Sequence, residues 1–261
     1  MTPAPATPAL MAMTYGEYLA LPTLFDAQRP ISDHPDEPLF IAMHQTQELW
    51  MKQGIHELHQ ALALLRADRL PEVYKVLARV SRIQAVMTLS WDVLTTMTTT
   101  DYLRFRGVLG SSSGFQSDQF RTVEVMMGFR DGPRHGPQTK AAAEQPSLWD
   151  EANMAAARAG LPMPEAALSR DWSAPYTPDP GVEAAWATVY RDERTWWPLY
   201  QLAEKLVDLD EAFATWRHKH LLTVSRIIGH KRGTGGTGVH YLESTLPKRA
   251  FPELWSLRTS L

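Results

Sequence analysis

Two histidines lie two residues apart near the end of a long apolar helical segment. His220 belongs to an apolar stripe, whereas His218 lies about 160° away from it around the helix. The other members of the stripe are Phe213, Trp216, Val224 and Ile227. A histidine in such a stripe is more often a hydrogen-bonded core residue than a ligand. A single imidazole holds a bare metal ion poorly, but it can be the axial ligand of a haem, because the porphyrin supplies the other four ligands.

A third histidine, His44, lies in a second helical segment. It shares one helical face with Phe40 and Gln47, and a face with an aromatic ring, a neutral base and an amide could line a pocket for a planar ligand. On this motif alone, a core histidine bonded to a backbone carbonyl is the more common interpretation. The segment lacks the HExxH pattern of zinc proteases, since Gln45 and Glu48 occupy its second and fifth positions.

An arginine and two aromatic residues lie within one helical turn at Tyr102, Phe105 and Arg106. Such an arginine can bind a carboxylate through two parallel hydrogen bonds. The serine-rich turn 111–117 follows and offers hydroxyls and backbone amides. An ordinary helix end followed by a capped helix explains the same pattern equally well.

The glycine-rich segment 231–238 follows the helical segment that carries His220. It does not have the GxxxxGK[ST] spacing of a nucleotide P-loop, and no strand signal precedes it. A mobile surface loop and a lid over a small ligand are the two interpretations that remain.

The elements that must position these residues are helical. Apolar spacing predicts helices over 37–66, from Pro71 to about Met97, from Thr100 to Gly110, from Ser117 to Gly128, from Ser147 to Gly160 and from Val182 to Ile228. Pro198 should kink or break the last of these. We expect a loop over 129–146 and a proline-rich connector over 161–181. Sustained alternating strand patterns are absent, so the sequence predicts an all-α, long-helix bundle.

Composition excludes several functional classes. The 261 residues contain no cysteine, which rules out disulfides, zinc–thiolate sites, iron–sulfur clusters and a thiolate-ligated haem. The net charge of −3 argues against an electrostatic nucleic-acid binder. No apolar run is long enough to span a membrane, and residues 1–14 form a Pro/Ala-rich segment unlike a signal peptide. We therefore expect a flexible N-terminal tail over 1–14 and a cytoplasmic protein.

Five ordered segments of the chain resemble the tryptophan 2,3-dioxygenase family. They are TYGEYLALPTL, LFIAMHQTQELWMKQ, DYLRFRGVLGSSSGFQS, WRHKHLLTVSRIIGHKRGTGG and FPELWSLRTS. The resemblance extends from Tyr15 to Leu261, and the ordered set is far more specific than any one motif. It implies a single helical haem dioxygenase domain over 15–261, assembled as a homotetramer with one haem b per subunit, ferrous in the active form.

The implied reaction opens the indole ring of L-tryptophan with O2 to give N-formyl-L-kynurenine, the first step of the kynurenine pathway. Both oxygen atoms should enter the substrate, at indole C2 and C3. The resemblance makes His220 the axial ligand of the haem iron and His44 the catalytic residue on the opposite side, where it hydrogen-bonds the indole N–H. We expect His44 to position the indole rather than deprotonate it, because indole is a very weak acid.

Further roles follow from the same resemblance. Arg106 would bind the substrate carboxylate, and Thr234 would contact both the carboxylate and the ammonium group. Tyr102 and Phe40 would line the pocket, with Ser113 near the haem. A family segment that reaches into the neighbouring subunit's site is matched by Tyr15, Tyr18 and Leu19.

The chain departs from the family pattern in two places. It is shorter than many members over 129–181, and His218 stands two residues before the proximal histidine, where the family usually has another residue type. The stripe argument favours His220 as the ligand, and His240 has no assigned role. The alternatives are a related haem enzyme for another indole, a non-catalytic haem sensor or carrier, and a helical scaffold without a cofactor.

Overall fold

The computed structural model describes residues 13–231, 233, 236 and 238–261. This part of the chain is helical and contains no strand, which confirms the all-α fold class. Three helices of 30, 25 and 32 residues dominate it. They are α3 (Glu37–Arg66), α4 (Leu70–Leu94) and α11 (Trp197–Ile228).

Shorter helices precede and connect these three. The described residues form α1 (Tyr15–Tyr18), α2 (Leu21–Phe25), α5 (Thr99–Phe105), α6 (Asp118–Met127), α7 (Pro137–Ala143), α8 (Leu148–Arg158), α9 (Glu165–Leu168), α10 (Pro180–Arg191), α12 (Val239–Thr245) and α13 (Pro252–Ser256). Three short 3-10 helices cover Arg106–Leu109, Gly114–Gln116 and Leu257–Thr259. None of the described helices is both long and apolar enough to cross a lipid bilayer.

The long helices form the framework of the molecule, with α4 packed between α3 and α11. The larger hydrophobic core joins the C-terminal half of α3 and the N-terminal half of α11 to α8, α10 and the C-terminal segment. A smaller core joins the other ends of the long helices to α5. Its members include Met43, Met87, Trp91, Phe105, Trp216 and Ile227. The candidate histidines therefore belong to the end of the bundle that holds the smaller core.

All three long helices have a proline in the first turn. Pro71 lies in the first turn of α4, and Pro198 lies in the first turn of α11. A proline in the first turn loses no helical hydrogen bond, because the amides there have no partner within the helix. The predicted segment from Val182 to Ile228 is thus broken rather than kinked, and α10 ends before residues 192–196.

The predicted loop over 129–146 is wrong in part, because it contains α7. This helix begins without a side-chain cap of its own, at Gly136. The cap comes from α6, where the Asp118 carboxylate accepts hydrogen bonds from the amides of Gln138 and Thr139, both at 3.1 Å. A Cβ atom at Gly136 would lie 1.9 Å from the Asp118 carboxyl carbon, so only glycine fits there. The predicted connector 161–181 likewise contains the one-turn helix α9.

The C-terminal segment is fixed to α11 by one buried carboxylate. Asp210 Oδ2 accepts hydrogen bonds from the amides of Ala250 and Phe251 and from the indole N–H of Trp255, at 2.9, 3.4 and 2.9 Å. Burial raises the pKa of Asp210, and these three donors act in the opposite direction. The segment that follows the glycine-rich loop is therefore fixed to the same helix that carries the candidate ligand.

Candidate active site

A cavity of about 220 Å³ lies between α3, α4 and α11 at the end of the bundle that holds the smaller core. The turn around Ser113, the helix α6 and the helix α12 complete its wall. Most of the lining is apolar, including Phe40, Met51, Trp91, Leu94, Trp216 and Ile227. Among the described residues, the ionisable side chains that reach it are His44, Glu48, Tyr102, Arg121, Glu124, Arg217, His220 and Tyr241. Such a mixture of apolar walls and a few polar groups is typical of a small-molecule site.

His220 lies on the α11 wall of the cavity and is held by rings. Its imidazole stacks on Trp91, with 4.6 Å between ring centroids, and packs at 5.3 Å against Trp216. Burial lowers its pKa to about 4, with a smaller contribution from His44. Its ring nitrogens make no hydrogen bond to any other described residue. A neutral imidazole in a mainly apolar cavity, whose nitrogens are not hydrogen-bonded to any described residue, has the properties required of an axial haem ligand.

The neighbouring His218 has a different environment. It is exposed on the outer side of α11 and does not line the cavity. The structure therefore separates the two histidines, as the apolar stripe indicated. Among the described residues no group of three or more His, Asp or Glu side chains is arranged to hold a bare metal ion.

His44 reaches the same cavity from α3. Its Nδ1 lies 2.7 Å from the carbonyl oxygen of Phe40, one turn earlier. Because a carbonyl can only accept, the proton of the neutral ring is on Nδ1, and Nε2 keeps its lone pair. Burial lowers the pKa of His44, while the Phe40 carbonyl and the Glu48 carboxylate oppose that change. His44 is thus a neutral ring whose second nitrogen can accept one hydrogen bond from a ligand.

Gln47, one turn beyond His44 on α3, ties the three long helices together behind the site. Its amide nitrogen donates to the carbonyl of Met87 at 2.8 Å and to Ser90 Oγ at 2.6 Å, both on α4. Its amide oxygen accepts a hydrogen bond from Trp216 Nε1 on α11 at 3.3 Å. Gln47 lines the cavity as the sequence suggested, but its bonds are made within the protein, so it acts as a structural cross-link.

Aromatic residues form the wall next to His44. The Phe40 ring lies 4.2 Å from the imidazole of His44 and 5.9 Å from the ring of Tyr102, measured between centroids. Tyr102 is buried, which raises the pKa of its phenol, while the positive charge of Arg106 opposes that rise. Arg106 itself is half-buried at the start of a 3-10 helix and is not among the lining residues of the cavity. The structure thus places Phe40, His44 and Tyr102 together, with Arg106 at the edge of the group.

Ser113 lines the cavity at the start of the short helix Gly114–Gln116. Its hydroxyl accepts a hydrogen bond from the amide of Phe115 at 3.3 Å, so the side chain is fixed by the turn. Gly233 and Gly238, from the glycine-rich segment, also line the cavity. The predicted contact residue Thr234 lies outside the described residues.

The three predicted residues of the N-terminal segment are on the surface. Tyr15 and Tyr18 are 76% and 75% exposed, and Leu19 is 40% exposed. None of them is among the described residues that line the cavity of the same chain. Two tyrosines this exposed have most of their apolar surface unpartnered within one subunit.

A buried charge cluster in the cavity wall was missed by the sequence reasoning. Glu124 on α6 accepts hydrogen bonds from Arg121 at 2.5 Å and from Arg217 at 2.6 Å. All three side chains are at most 8% exposed, and Arg121 Nε has no hydrogen-bond partner among the described residues. The available signal was a pair of opposite charges, Arg121 and Glu124, three residues apart in the helix α6. Two guanidinium groups on one carboxylate give this cluster a net charge of one positive unit.

Comparison with known proteins finds one family model and several relatives that match nearly the whole chain. A family model described as tryptophan 2,3-dioxygenase matches residues 4–143 and 142–261. The chain is 59% identical to tryptophan 2,3-dioxygenase from Caulobacter vibrioides, over 95% of this chain and 98% of the relative. It is 51% identical to the protein of that name from Bordetella parapertussis, over 95% and 91% of the two chains. For the protein of that name from Bacillus cereus the identity is 48%, over 95% and 93%.

Proposed function

Because the chain belongs to the tryptophan 2,3-dioxygenase family, we propose that it opens the indole ring of L-tryptophan with O2 on a b-type haem. The product is N-formyl-L-kynurenine. One O2 is consumed for each substrate, the C2–C3 bond of the indole breaks, and each of these carbons gains one oxygen atom. No external electrons are consumed in the balanced reaction.

The observation that carries this proposal is the pair of half-buried, neutral histidines that face one mainly apolar cavity, of which His44 is bonded to a backbone carbonyl and His220 is not. His220 is neutral and bonded to no described residue, so its nitrogen can bind the haem iron. The ferrous haem supplies the oxygen chemistry, and the protein supplies binding, orientation and electrostatics. The net positive charge of the Arg121–Glu124–Arg217 cluster suits a cofactor that carries two carboxylates.

His44 positions the substrate. Its Nδ1 proton is donated to Phe40, so its Nε2 lone pair accepts the indole N–H. A ring with a lowered pKa is a weak base, and indole is a very weak acid, so transfer of this proton is poorly matched. Phe40 and Tyr102 provide the flat apolar wall on which the indole packs.

The amino-acid end of the substrate is bound by groups at the edge of the cavity. Arg106, one turn after the buried Tyr102, takes the carboxylate, and the hydroxyl of Ser113, which is fixed by its turn, would lie near the bound haem. Thr234 contacts both the carboxylate and the ammonium group. It belongs to the glycine-rich segment 231–238, of which Gly233 and Gly238 line the cavity. An amine without the carboxylate therefore binds more weakly than L-tryptophan.

The purified protein provides a direct test. We expect a Soret band, and, with L-tryptophan, O2 and a reductant, the ultraviolet absorption of N-formylkynurenine. Tryptamine, which lacks the carboxylate, is the matched control and should turn over much more slowly. A protein that is loaded with reduced haem and forms no formylkynurenine contradicts the proposal. Faster turnover of tryptamine than of L-tryptophan would instead assign a different indole substrate.

We further propose that the enzyme is a homotetramer in which the N-terminal segment completes a neighbour's site. The exposure of Tyr15, Tyr18 and Leu19 supports this arrangement, because a partner cavity would cover their apolar surface. Exposed apolar residues also form a stripe on α4, at Val86, Leu89 and Val93, where subunits can pack. Light scattering of the eluted protein measures the oligomeric state.

Mixed assemblies test whether the N-terminal segment acts in trans. The double variant Tyr15→Ala/Tyr18→Ala and the variant His44→Ala should each have little activity alone. Co-expressed in one cell, they should regain activity, because intact tyrosines from one subunit then meet an intact His44 in another. If the segment serves the cavity of its own chain, no mixed assembly contains an intact site and activity is not regained.

A further inference from the structure

A second, smaller cavity of about 20 Å³ lies beside the main one. It is enclosed by α3, α4, α6 and α11, and all its lining residues except Trp50 and Phe120 are buried. A volume of roughly 10–15 Å³ on this scale accommodates one water-sized molecule. This satellite cavity therefore has room for one small molecule, and none of the roles discussed above uses it.

The satellite cavity exists because of Gly54. This glycine is buried in the middle of α3, where glycine is less favourable than alanine. A Cβ atom built on it would meet nothing within 4 Å, so no close approach of a neighbour requires glycine. The missing side chain leaves open space that the surrounding residues do not fill.

The lining of the satellite cavity suits an apolar occupant better than water. Trp216 Nε1 is already bonded to Gln47. Gln84 Oε1 is buried without a hydrogen-bond partner, and its amide nitrogen reaches only Met127 Sδ at 3.9 Å. A buried water usually makes two to four hydrogen bonds, and Gln84 Oε1 offers a single acceptor. Apolar cavities of this kind stay dry and bind small apolar molecules such as xenon.

Three side chains line both cavities, so they form the wall between them. They are Met51, Phe120 and Trp216. Methionine is unbranched and has three rotatable bonds, so its side chain moves more readily than the two aromatic rings. Rotation of Met51 is thus the simplest way for a diatomic molecule to pass from one cavity to the other.

We propose that the satellite cavity at Gly54 is a docking site for molecular oxygen, which enters the main cavity past Met51. The proposal rests on the oxygen-dependent function proposed above. It assigns the apolar co-substrate a place of its own, separate from the indole-binding wall at Phe40 and Tyr102.

Xenon tests the site without reference to catalysis. Crystals of the full-length, haem-loaded protein under xenon pressure should show xenon beside Gly54, less of it in Gly54→Ala, and none in Gly54→Leu. Ala42→Leu is the matched control, because it enlarges an exposed side chain on the same helix and should leave the xenon unchanged. An ordered water in place of xenon, or xenon that persists in Gly54→Leu, overturns the proposal.

Oxygen kinetics test the route. Gly54→Leu should raise the Michaelis constant for O2 several-fold and slow O2 association with the ferrous protein after flash photolysis, with the Michaelis constant for L-tryptophan unchanged. Loss of xenon without any change in O2 kinetics contradicts the docking role. A wild-type protein that binds xenon beside Gly54 but forms no formylkynurenine contradicts the proposed function instead, so the two failures are distinguishable. Thermal unfolding of each variant shows which of them are folded, and Gly54→Ala, whose Cβ meets nothing within 4 Å, carries both tests by itself if Gly54→Leu does not fold.

Discussion

Replacement of Gln47 by leucine tests how the site is held together. The Gln47 amide bonds to α4 through Met87 and Ser90, and to α11 through Trp216. Leucine is close in size and keeps the contact with the cavity wall, but it removes all three hydrogen bonds. The indole of Trp216 then has no acceptor, and this ring packs against His220 at 5.3 Å.

The expected magnitude follows from what each former partner does next. Ser90 Oγ still donates to the Met87 carbonyl at 2.7 Å, so both partners on α4 keep a hydrogen bond. Only Trp216 Nε1, on a residue that is 7% exposed, loses its partner. A buried donor left unsatisfied costs about 1–3 kcal/mol. We expect Gln47→Leu to lower the free energy of unfolding by that amount, about 1–3 kcal/mol.

A double-mutant cycle with Trp216→Phe isolates the interaction. Phenylalanine has no N–H, so Gln47→Leu should be less destabilising in that background, with a coupling energy of about 1–3 kcal/mol, the cost of the unsatisfied donor. Urea unfolding of the four proteins measures the cycle, and the rate of haem transfer to apomyoglobin reports the effect on His220. If the two changes add within about 0.3–0.5 kcal/mol, Gln47 and Trp216 are not coupled and the cross-link interpretation is wrong.

Three further predictions concern the site residues. His220→Ala should lose haem, measured by the Soret absorbance, whereas His218→Ala should retain it; equal retention would show that the ligand is misassigned. Arg106→Leu should weaken substrate binding by about 1.5–3 kcal/mol, seen as a raised Michaelis constant for L-tryptophan, because a charge-assisted contact is lost; Arg104→Leu, on an exposed neighbour, is its control. Burial lowers the pKa of His44 from 6.5, so it stays neutral at and above that pH. As pH falls, kcat/KM should therefore decline only below 6.5, where protonation of Nε2 removes the acceptor; a midpoint above 6.5 would contradict this role.

Local signals in the sequence predicted most of the helix starts near the site. Ser117 caps α6 by accepting a hydrogen bond from the amide of Phe120, and Ser147 forms a capping box with Asp150. These contacts join residues three apart, so the order of residue types is sufficient to reveal them. The helix α5 is capped by Thr98, which forms a capping box with Asp101. Thr98 lies two residues before the predicted start at Thr100.

The parts of the fold that the sequence did not predict depend on residues far apart in the chain. α7 begins at Pro137, which is a local start signal, but its cap comes from Asp118, about twenty residues earlier, and the residues next to Gly136 do not reveal that partner. The charge cluster of the cavity wall joins Glu124 to Arg217, which lies 93 positions away. Helical periodicity places each residue on a face of its own helix but does not state which faces meet. The candidate site was therefore predicted as separate motifs, and its joint wall was not.

The two histidines of the cavity show why residue type alone could not assign their roles. Sequence reasoning placed His220 on an apolar stripe and His44 on a face with Phe40 and Gln47, and in both places a structural histidine and a functional one look alike. His44 fits the structural interpretation at one nitrogen, since Nδ1 is committed to the Phe40 carbonyl, and that bond is what makes Nε2 an acceptor. His220 makes no hydrogen bond to any described residue, and the rings of Trp91 and Trp216 restrict its orientation. A ligand for iron needs a free lone pair and a fixed ring, whereas a partner for an indole N–H needs a defined tautomer. The chain meets both requirements with histidine. A backbone carbonyl fixes the tautomer of His44, and two tryptophan rings fix the orientation of His220.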